Sequence, residues 1–212
     1  MENLYNIEGL YAITPEENNL SLLKSQVESS IKGGATYIQY RSKILSKNDQ
    51  QTQAGEIKKV CDYYKVPLII NDDIELCSIL DADGVHLGEN DDTLEKARLI
   101  LGPSKIIGVS CYNSIDRVRM AEDKGATYIA LGACFQTPTK PNASSVSLDL
   151  IALVLKKFQV PLVAIGGISL ENIELVINKG VRCCAVVSSL FESHDIEGTA
   201  RQFSSLLTTK KL

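Results

Sequence analysis

The sequence predicts a single (β/α)8 barrel of the TIM type, and three observations predict it. Short β-rich apolar runs alternate with helix-patterned stretches eight times along the chain. A frame of helix end, glycine and strand recurs as GGATYIQ, KGATYIA and KGVRCCA. The length of 212 residues also suits eight such units, since barrels of this class typically run to about 250 residues and as few as about 200. No shift of composition marks a boundary, so residues 1–212 are expected to form one domain. A doubly wound open sheet usually closes with fewer units and carries a glycine-rich first turn. No GxGxxG follows the first strand here.

In chain order, GLYAIT (9–14) reads as the first strand, and Leu22, Leu23, Val27 and Ile31 space a helix over 20–32 that Gly33-Gly34 stops. Strand 36–41 (TYIQYR) precedes a helix over about 47–64, and strand 66–71 (VPLIIN) a helix over 73–80. Strand 83–87 (DGVHL) leads to a helix over 92–101, and strand 105–110 (KIIGVS) to one over 114–124. Strand 127–132 (TYIALG) is followed by a longer loop and a helix over 148–158. Strand 161–166 (PLVAIG) leads to a helix over 170–179, and strand 183–188 (CCAVVS) to a closing helix over about 197–207.

Composition narrows the function classes. A formal net charge of −4 argues against a nucleic-acid surface. No apolar run approaches the ~20 residues of a membrane helix, and MENLYNIEG has neither a basic start nor an apolar signal core. A cytoplasmic protein is the expectation. Cysteines 61, 77, 111, 134, 183 and 184 form no CxxC pair and read as buried thiols in a reducing compartment. With only two histidines, the sequence argues against a histidine-based metal site.

The chemistry gathers at strand ends. Strand 66–71 finishes in Asn71, Asp72 and Asp73, and strand 83–87 runs into Gly88, Glu89, Asn90, Asp91 and Asp92. In a parallel sheet both ends open on one side, where hard carboxylate oxygens suit Mg²⁺ serving a substrate phosphate. Each of these aspartates is equally a residue type that caps the following helix. On the second strand, Tyr37, Gln39, Arg41 and Lys43 share one face. Arginine offers phosphate a bidentate fork and lysine a mobile point charge. The loop 132–145 carries Thr137, Thr139 and Lys140 at the length of an active-site lid. Gly166-Gly167 and Val187-Ser188-Ser189 each follow a strand and open a helix, the usual phosphate-binding register of such barrels.

Two anion sites of different make-up point to two phosphorylated small-molecule substrates. Arg41, Lys43 and Lys140 match the charge of a diphosphate, while Asp72 and Asp91 offset Mg²⁺. No Ser-His-Asp or Cys-His set lies along the strand ends, and His86 and His194 read as structural. No lysine sits in the middle of a strand, where a Schiff base would need it. The residues therefore favour departure of a diphosphate under electrostatic stabilisation, then attack by a second bound substrate.

With these residues in place, the chain resembles the thiamine phosphate synthase family nearly end to end. GLYAIT, GGATYIQYRSK, INDD, DADGVHLGEND, IIGVS, GACFQTPTK, AIGGI and VVSSL stand in that family's order and spacing. The resemblance implies a barrel enzyme that joins hydroxymethylpyrimidine diphosphate to thiazole phosphate, giving thiamine phosphate and diphosphate. It implies that Gln39, Arg41 and Lys43 contact the pyrimidine diphosphate, with Asn71, Ser110 and Lys140 on its diphosphate and Tyr11 lining the pyrimidine pocket. Asp72 and Asp91 would bind Mg²⁺. Thr137 and Thr139 would meet the thiazole phosphate, with Gly167, Val187 and Ser188 supplying backbone donors. The family's reaction is held to be dissociative. Departures from its pattern are Glu89 for glutamine, Ala133 for proline, and Cys183-Cys184 for a glycine–apolar pair.

Three other functions compete. A thiazole tautomerase on the same fold shares the second anion site, but has a histidine where Tyr112 stands and need not keep paired metal acids. A non-catalytic barrel that senses thiamine phosphates would be expected to have lost Arg41, Asp72, Asp91 or Lys140, and all four are present. A sugar-phosphate epimerase would need an acid–base pair that the strand ends lack. Oligomeric state is left open, with a homo-oligomer compatible with everything read.

Overall fold

The computed structural model describes residues 6–88, 93–136 and 145–208. Eight parallel strands close into a barrel in the order β1-β2-β3-β4-β5-β6-β7-β8. They are β1 (Gly9–Ile13), β2 (Ala35–Tyr40), β3 (Leu68–Asn71), β4 (Gly84–Leu87), β5 (Ile106–Tyr112), β6 (Tyr128–Leu131), β7 (Leu162–Ile165) and β8 (Cys183–Val186). Between them run α1 (Leu20–Lys32), α2 (Lys47–Tyr64), α3 (Ile74–Ile79), α4 (Leu94–Leu101), α5 (Ile115–Asp123), α6 (Leu148–Lys157) and α7 (Ile173–Ile177). A one-turn α8 (Ser188–Phe191) and a closing α9 (Ile196–Thr208) follow β8.

The period-two alternation of the strands divides the core in two. Leu68 and Ile70 of β3 face the helices, as do Ile38 and Tyr40 of β2. Ile69 points into the barrel, where it meets Tyr11, Tyr37, Ile106, Tyr128 and Val163. The face assignment made for the second strand therefore holds for Tyr37 and Gln39. Arg41 and Lys43 lie just beyond the strand, which ends at Tyr40. All six cysteines are buried free thiols. Among the described residues, no helix is long and apolar enough to cross a membrane.

Helices start where side chains can satisfy their first amides. Asn19, Ser46, Asp73, Thr93, Ser114 and Ser147 each accept a backbone N–H of the following turn. Asp73 is thus a cap. The expected strand 66–71 begins only at Leu68, because Pro67 has no N–H to give and contributes its carbonyl to Ile38 instead (3.1 Å). The helix expected over 170–179 shrinks to Ile173–Ile177. Asn172 diverts its N-terminal turn, accepting from Ser169 N (2.9 Å) and donating to Gly167 O (2.9 Å).

Candidate active site

Parallel closure puts every strand's C-terminal end on one rim, and the β2 and β3 ends make its charged flank. Thr14, just past β1, is fully buried and ties down the start of the β2 loop. Its hydroxyl accepts from Arg41 N (2.9 Å) and donates to Arg41 O (3.1 Å). Glu16 then holds the guanidinium of Arg41 at 2.8 Å and accepts the backbone N–H of Lys43 at 3.0 Å. Lys43 in turn reaches across to β3 and pairs with Asp72. Residues of three loops are thereby linked in series, Arg41–Glu16–Lys43–Asp72, with two ion pairs joined through the Lys43 backbone N–H. Next to this series, Lys47 pairs with Asp73. Burial alone would raise the Asp73 carboxyl, but the Lys47 ammonium and the Leu76 N–H outweigh it and hold the group below its ordinary value.

Asp72 occupies a backbone position that few side chains accept. Its φ is +65°, and Asp73 N donates back to Asn71 O (2.8 Å), closing a three-residue turn around it. Asp72 N donates to His86 O on β4 (2.8 Å), which fixes the turn to its neighbour. Such a conformation costs on the order of 1–3 kcal/mol and gathers at sites where a side chain must be aimed. Here it aims a carboxylate at the rim with its side chain 23% exposed.

Beneath the rim, a hydrogen-bonded chain crosses the barrel interior from β2 to β5. Gln39 Nε2 donates to the Tyr11 hydroxyl at 3.0 Å, and the Tyr11 and Tyr128 hydroxyls lie 2.7 Å apart. His86 Nδ1 sits 2.9 Å from the Tyr128 hydroxyl, and His86 Nε2 2.9 Å from Ser110 Oγ. The rings of His86 and Tyr128 stack with centroids 5.6 Å apart and planes 20° apart. Gly108 makes room for this, since a Cβ there would stand 2.0 Å from Tyr128 Cζ. Burial pushes both tyrosine hydroxyls far above their ordinary range, so they stay protonated. Sequence reasoning placed Tyr11, Gln39 and Ser110 at the site and His86 in a structural role. It missed Tyr128 altogether, because an inward tyrosine low on a strand looks like core.

The opposite flank, at the ends of β6, β7 and β8, is made of backbone. The Gly132–Ala133 peptide is cis. Cys134 N donates to Ile165 O and Phe135 N to Gly166 O, each at 3.0 Å, strapping the base of the β6 loop to β7. Gly166 and Gly167 have φ of +97° and +64°. A Cβ on Gly167 would lie 2.3 Å from Gln136 O, and one on Gly166 2.6 Å from Ala133 Cα. The two glycines expected to admit a phosphate also admit the base of this loop. The strand expected over 183–188 ends at Val186, Val187 follows it, and Ser188 opens α8. Ser189 Oγ donates to Ile168 O at 2.6 Å, joining the two phosphate-register turns.

Arg41, Lys43, Asn71, Asp72 and Ser110 therefore stand at the C-terminal ends of β2, β3 and β5, and Gly167, Val187 and Ser188 lie at the ends of β7 and β8. Asp91, Thr137, Thr139 and Lys140, like Glu89, lie outside the described residues. Among the described residues, no group of three or more His, Cys, Asp or Glu side chains gathers to hold a metal ion. Asp72 nevertheless fits Mg²⁺, which takes one or two carboxylates, keeps waters and draws its remaining oxygens from a substrate phosphate.

Comparison with known proteins identifies a family. The family model described as thiamine monophosphate synthase matches residues 10–190. A thiamine-phosphate synthase of Methylobacillus flagellatus is 46% identical over 200 residues, covering 94% of this chain and 95% of that protein. One from Thiobacillus denitrificans is 39% identical over 202 residues, covering 95% and 96%. Among solved structures, thiamine phosphate pyrophosphorylase from Pyrococcus furiosus superposes with a TM-score of 0.87 at 30% identity, covering 96% of this chain and 97% of its own. This chain belongs to the thiamine monophosphate synthase family.

Proposed function

We propose that the chain joins hydroxymethylpyrimidine diphosphate to thiazole phosphate, releasing diphosphate and thiamine phosphate. One observation carries the placement of the reaction: Arg41, Lys43 and Asp72 converge on adjacent strand ends, with Lys43 already on the Asp72 carboxylate. Arg41 grips diphosphate oxygens through its fork, while Lys43 and Lys140 add point charges and Ser110 a hydroxyl donor. Gln39 and Tyr11 line the pyrimidine pocket, and Asn71 steadies the diphosphate. Thr137, Thr139 and the backbone of Gly167, Val187 and Ser188 take the thiazole phosphate.

Mg²⁺ bound by Asp72 and Asp91 would supply charge neutralisation on the diphosphate. The chain's own residues do the rest. The C–O bond to the pyrimidine breaks with its electron pair leaving on diphosphate, and Arg41, Lys43, Lys140 and Ser110 stabilise that charge. The thiazole nitrogen then donates its lone pair to the pyrimidine-stabilised cation. No strong base is required. The described thiols are ill suited to act as one, since burial pushes Cys61, Cys77 and Cys111 up to about 12 and Cys134 to about 11.

The test is incubation of the purified protein with both phosphorylated heterocycles and Mg²⁺, followed by chromatography for thiamine phosphate. Formation of thiamine phosphate only when both are present is expected; its absence would reject the proposal.

A further inference from the structure

We infer that Tyr128 and His86 are positioning residues that turn the Ser110 hydroxyl outward as a hydrogen-bond donor to the mouth. The inference rests on the proposed reaction, because a diphosphate is an acceptor-only anion that a hydroxyl can meet only by donating.

The order of protons follows from counting donors. Gln39 Nε2 gives a proton to the Tyr11 oxygen. Tyr11 is buried, and its remaining hydrogen-bond partner is the Tyr128 hydroxyl. A buried O–H left without an acceptor is costly, so Tyr11 donates to Tyr128. Tyr128 has then accepted once, and its own proton goes to His86 Nδ1. That leaves the imidazole proton on Nε2, where it donates to Ser110 Oγ. Ser110 has accepted from below, and its proton is turned toward the open end of the barrel. One chain of one-way hydrogen bonds thus runs from the floor of the pocket to the rim. Turning the Gln39 amide over would reverse every bond, and Ser110 would donate inward, away from the diphosphate.

Two features show the relay to be built for alignment. The His86 ring is stacked on Tyr128 as well as bonded to it, which fixes the plane in which Nε2 points. Gly108 beside it is the one residue that admits the Tyr128 ring there.

The chain has two histidines, so ¹⁵N labelling of histidine gives two side-chain spin systems, assigned with a His194→Gln variant. On ligand-free protein, long-range ¹⁵N–¹H spectra are expected to show His86 as the Nε2–H tautomer. In Tyr128→Phe, which keeps the ring and its stack, the tautomer preference should weaken. Its kcat should fall by about 10-fold or more, the scale of losing a residue that orients a site group, with KM for the pyrimidine diphosphate changed far less. An Nδ1–H or doubly protonated His86 would overturn the inference, and so would a Tyr128→Phe variant turning over at the unsubstituted rate. The spectra do not depend on turnover. A protein with Nε2–H His86 that makes no thiamine phosphate would refute the proposed reaction while leaving the proton order standing.

Discussion

The two flanks of the rim are built in opposite ways. At β2 and β3 the flank is made of side chains: Arg41 pairs with Glu16 and Lys43 with Asp72, over a strained turn. At β6 to β8 it is made of main chain, brought close by glycines that leave no space for a Cβ. A side-chain flank can rearrange when ligand and metal arrive, because each ion pair is an exchangeable contact. A backbone flank cannot, and suits a group that is held in place without being transformed. On the proposed reaction, the difference matches a leaving diphosphate on one side and a spectator phosphate on the other.

Asp72→Asn should break the first flank most severely. Asparagine tolerates the positive φ nearly as well as aspartate, so the change isolates charge. Turnover is expected to fall by about 100-fold or more, as when a transition-state contact is lost, with little change in melting temperature. Retention of near-normal turnover in Mg²⁺ would falsify the assignment of Asp72. The second flank should answer in stability. Gly167→Ala drives a Cβ toward Gln136 O in a left-handed backbone, at an expected cost of about 1–3 kcal/mol in denaturant unfolding. A neutral result would mean that the loop base yields freely.

Ser188→Asp sharpens the contrast. A new negative charge beside the spectator phosphate should weaken thiazole phosphate by about 10-fold, from a repulsion of at least ~1 kcal/mol at close range. Pyrimidine diphosphate affinity should hardly move. Equal losses for both ligands in a calorimetric titration would merge the two flanks into one site.

The smallest effect is expected at Asp73, which lies beside the charged flank yet serves as a cap. Asp73→Ala should cost about 1 kcal/mol and leave turnover unaltered. Because the folded-state carboxyl titrates below its ordinary value, its contribution is fully present above the unfolded-state value. It is lost as pH falls through the folded-state value. Parent and variant stabilities should therefore converge in acid; a gap that widened there would contradict the lowered carboxyl.

The fold was legible because a barrel repeats its pattern. α1 (Leu20–Lys32) and α2 (Lys47–Tyr64) begin and end where their apolar spacing and caps predict. Departures arise where a local hydrogen bond overrides periodicity, as Asn172 does at α7. The charged flank was legible too, since arginine, lysine and aspartate at strand ends are conspicuous. Glu16 and Thr14 were not. They act on Arg41 from 25 and 27 residues away in the chain, through contacts that only barrel closure brings about. Tyr128 was hidden for a related reason: its role depends on a hydroxyl meeting partners from β1 and β4, and no spacing within β6 records that.

The resting ion pairs have one more effect. With Arg41 matched to Glu16 and Lys43 to Asp72, the cations offer no bare positive well to passing solutes. An entering anion has to evict internal counter-ions, and a weakly charged one gains too little to do so. A multiply charged ligand arriving with its own divalent ion can satisfy the displaced carboxylate and the vacated ammonium in the same exchange.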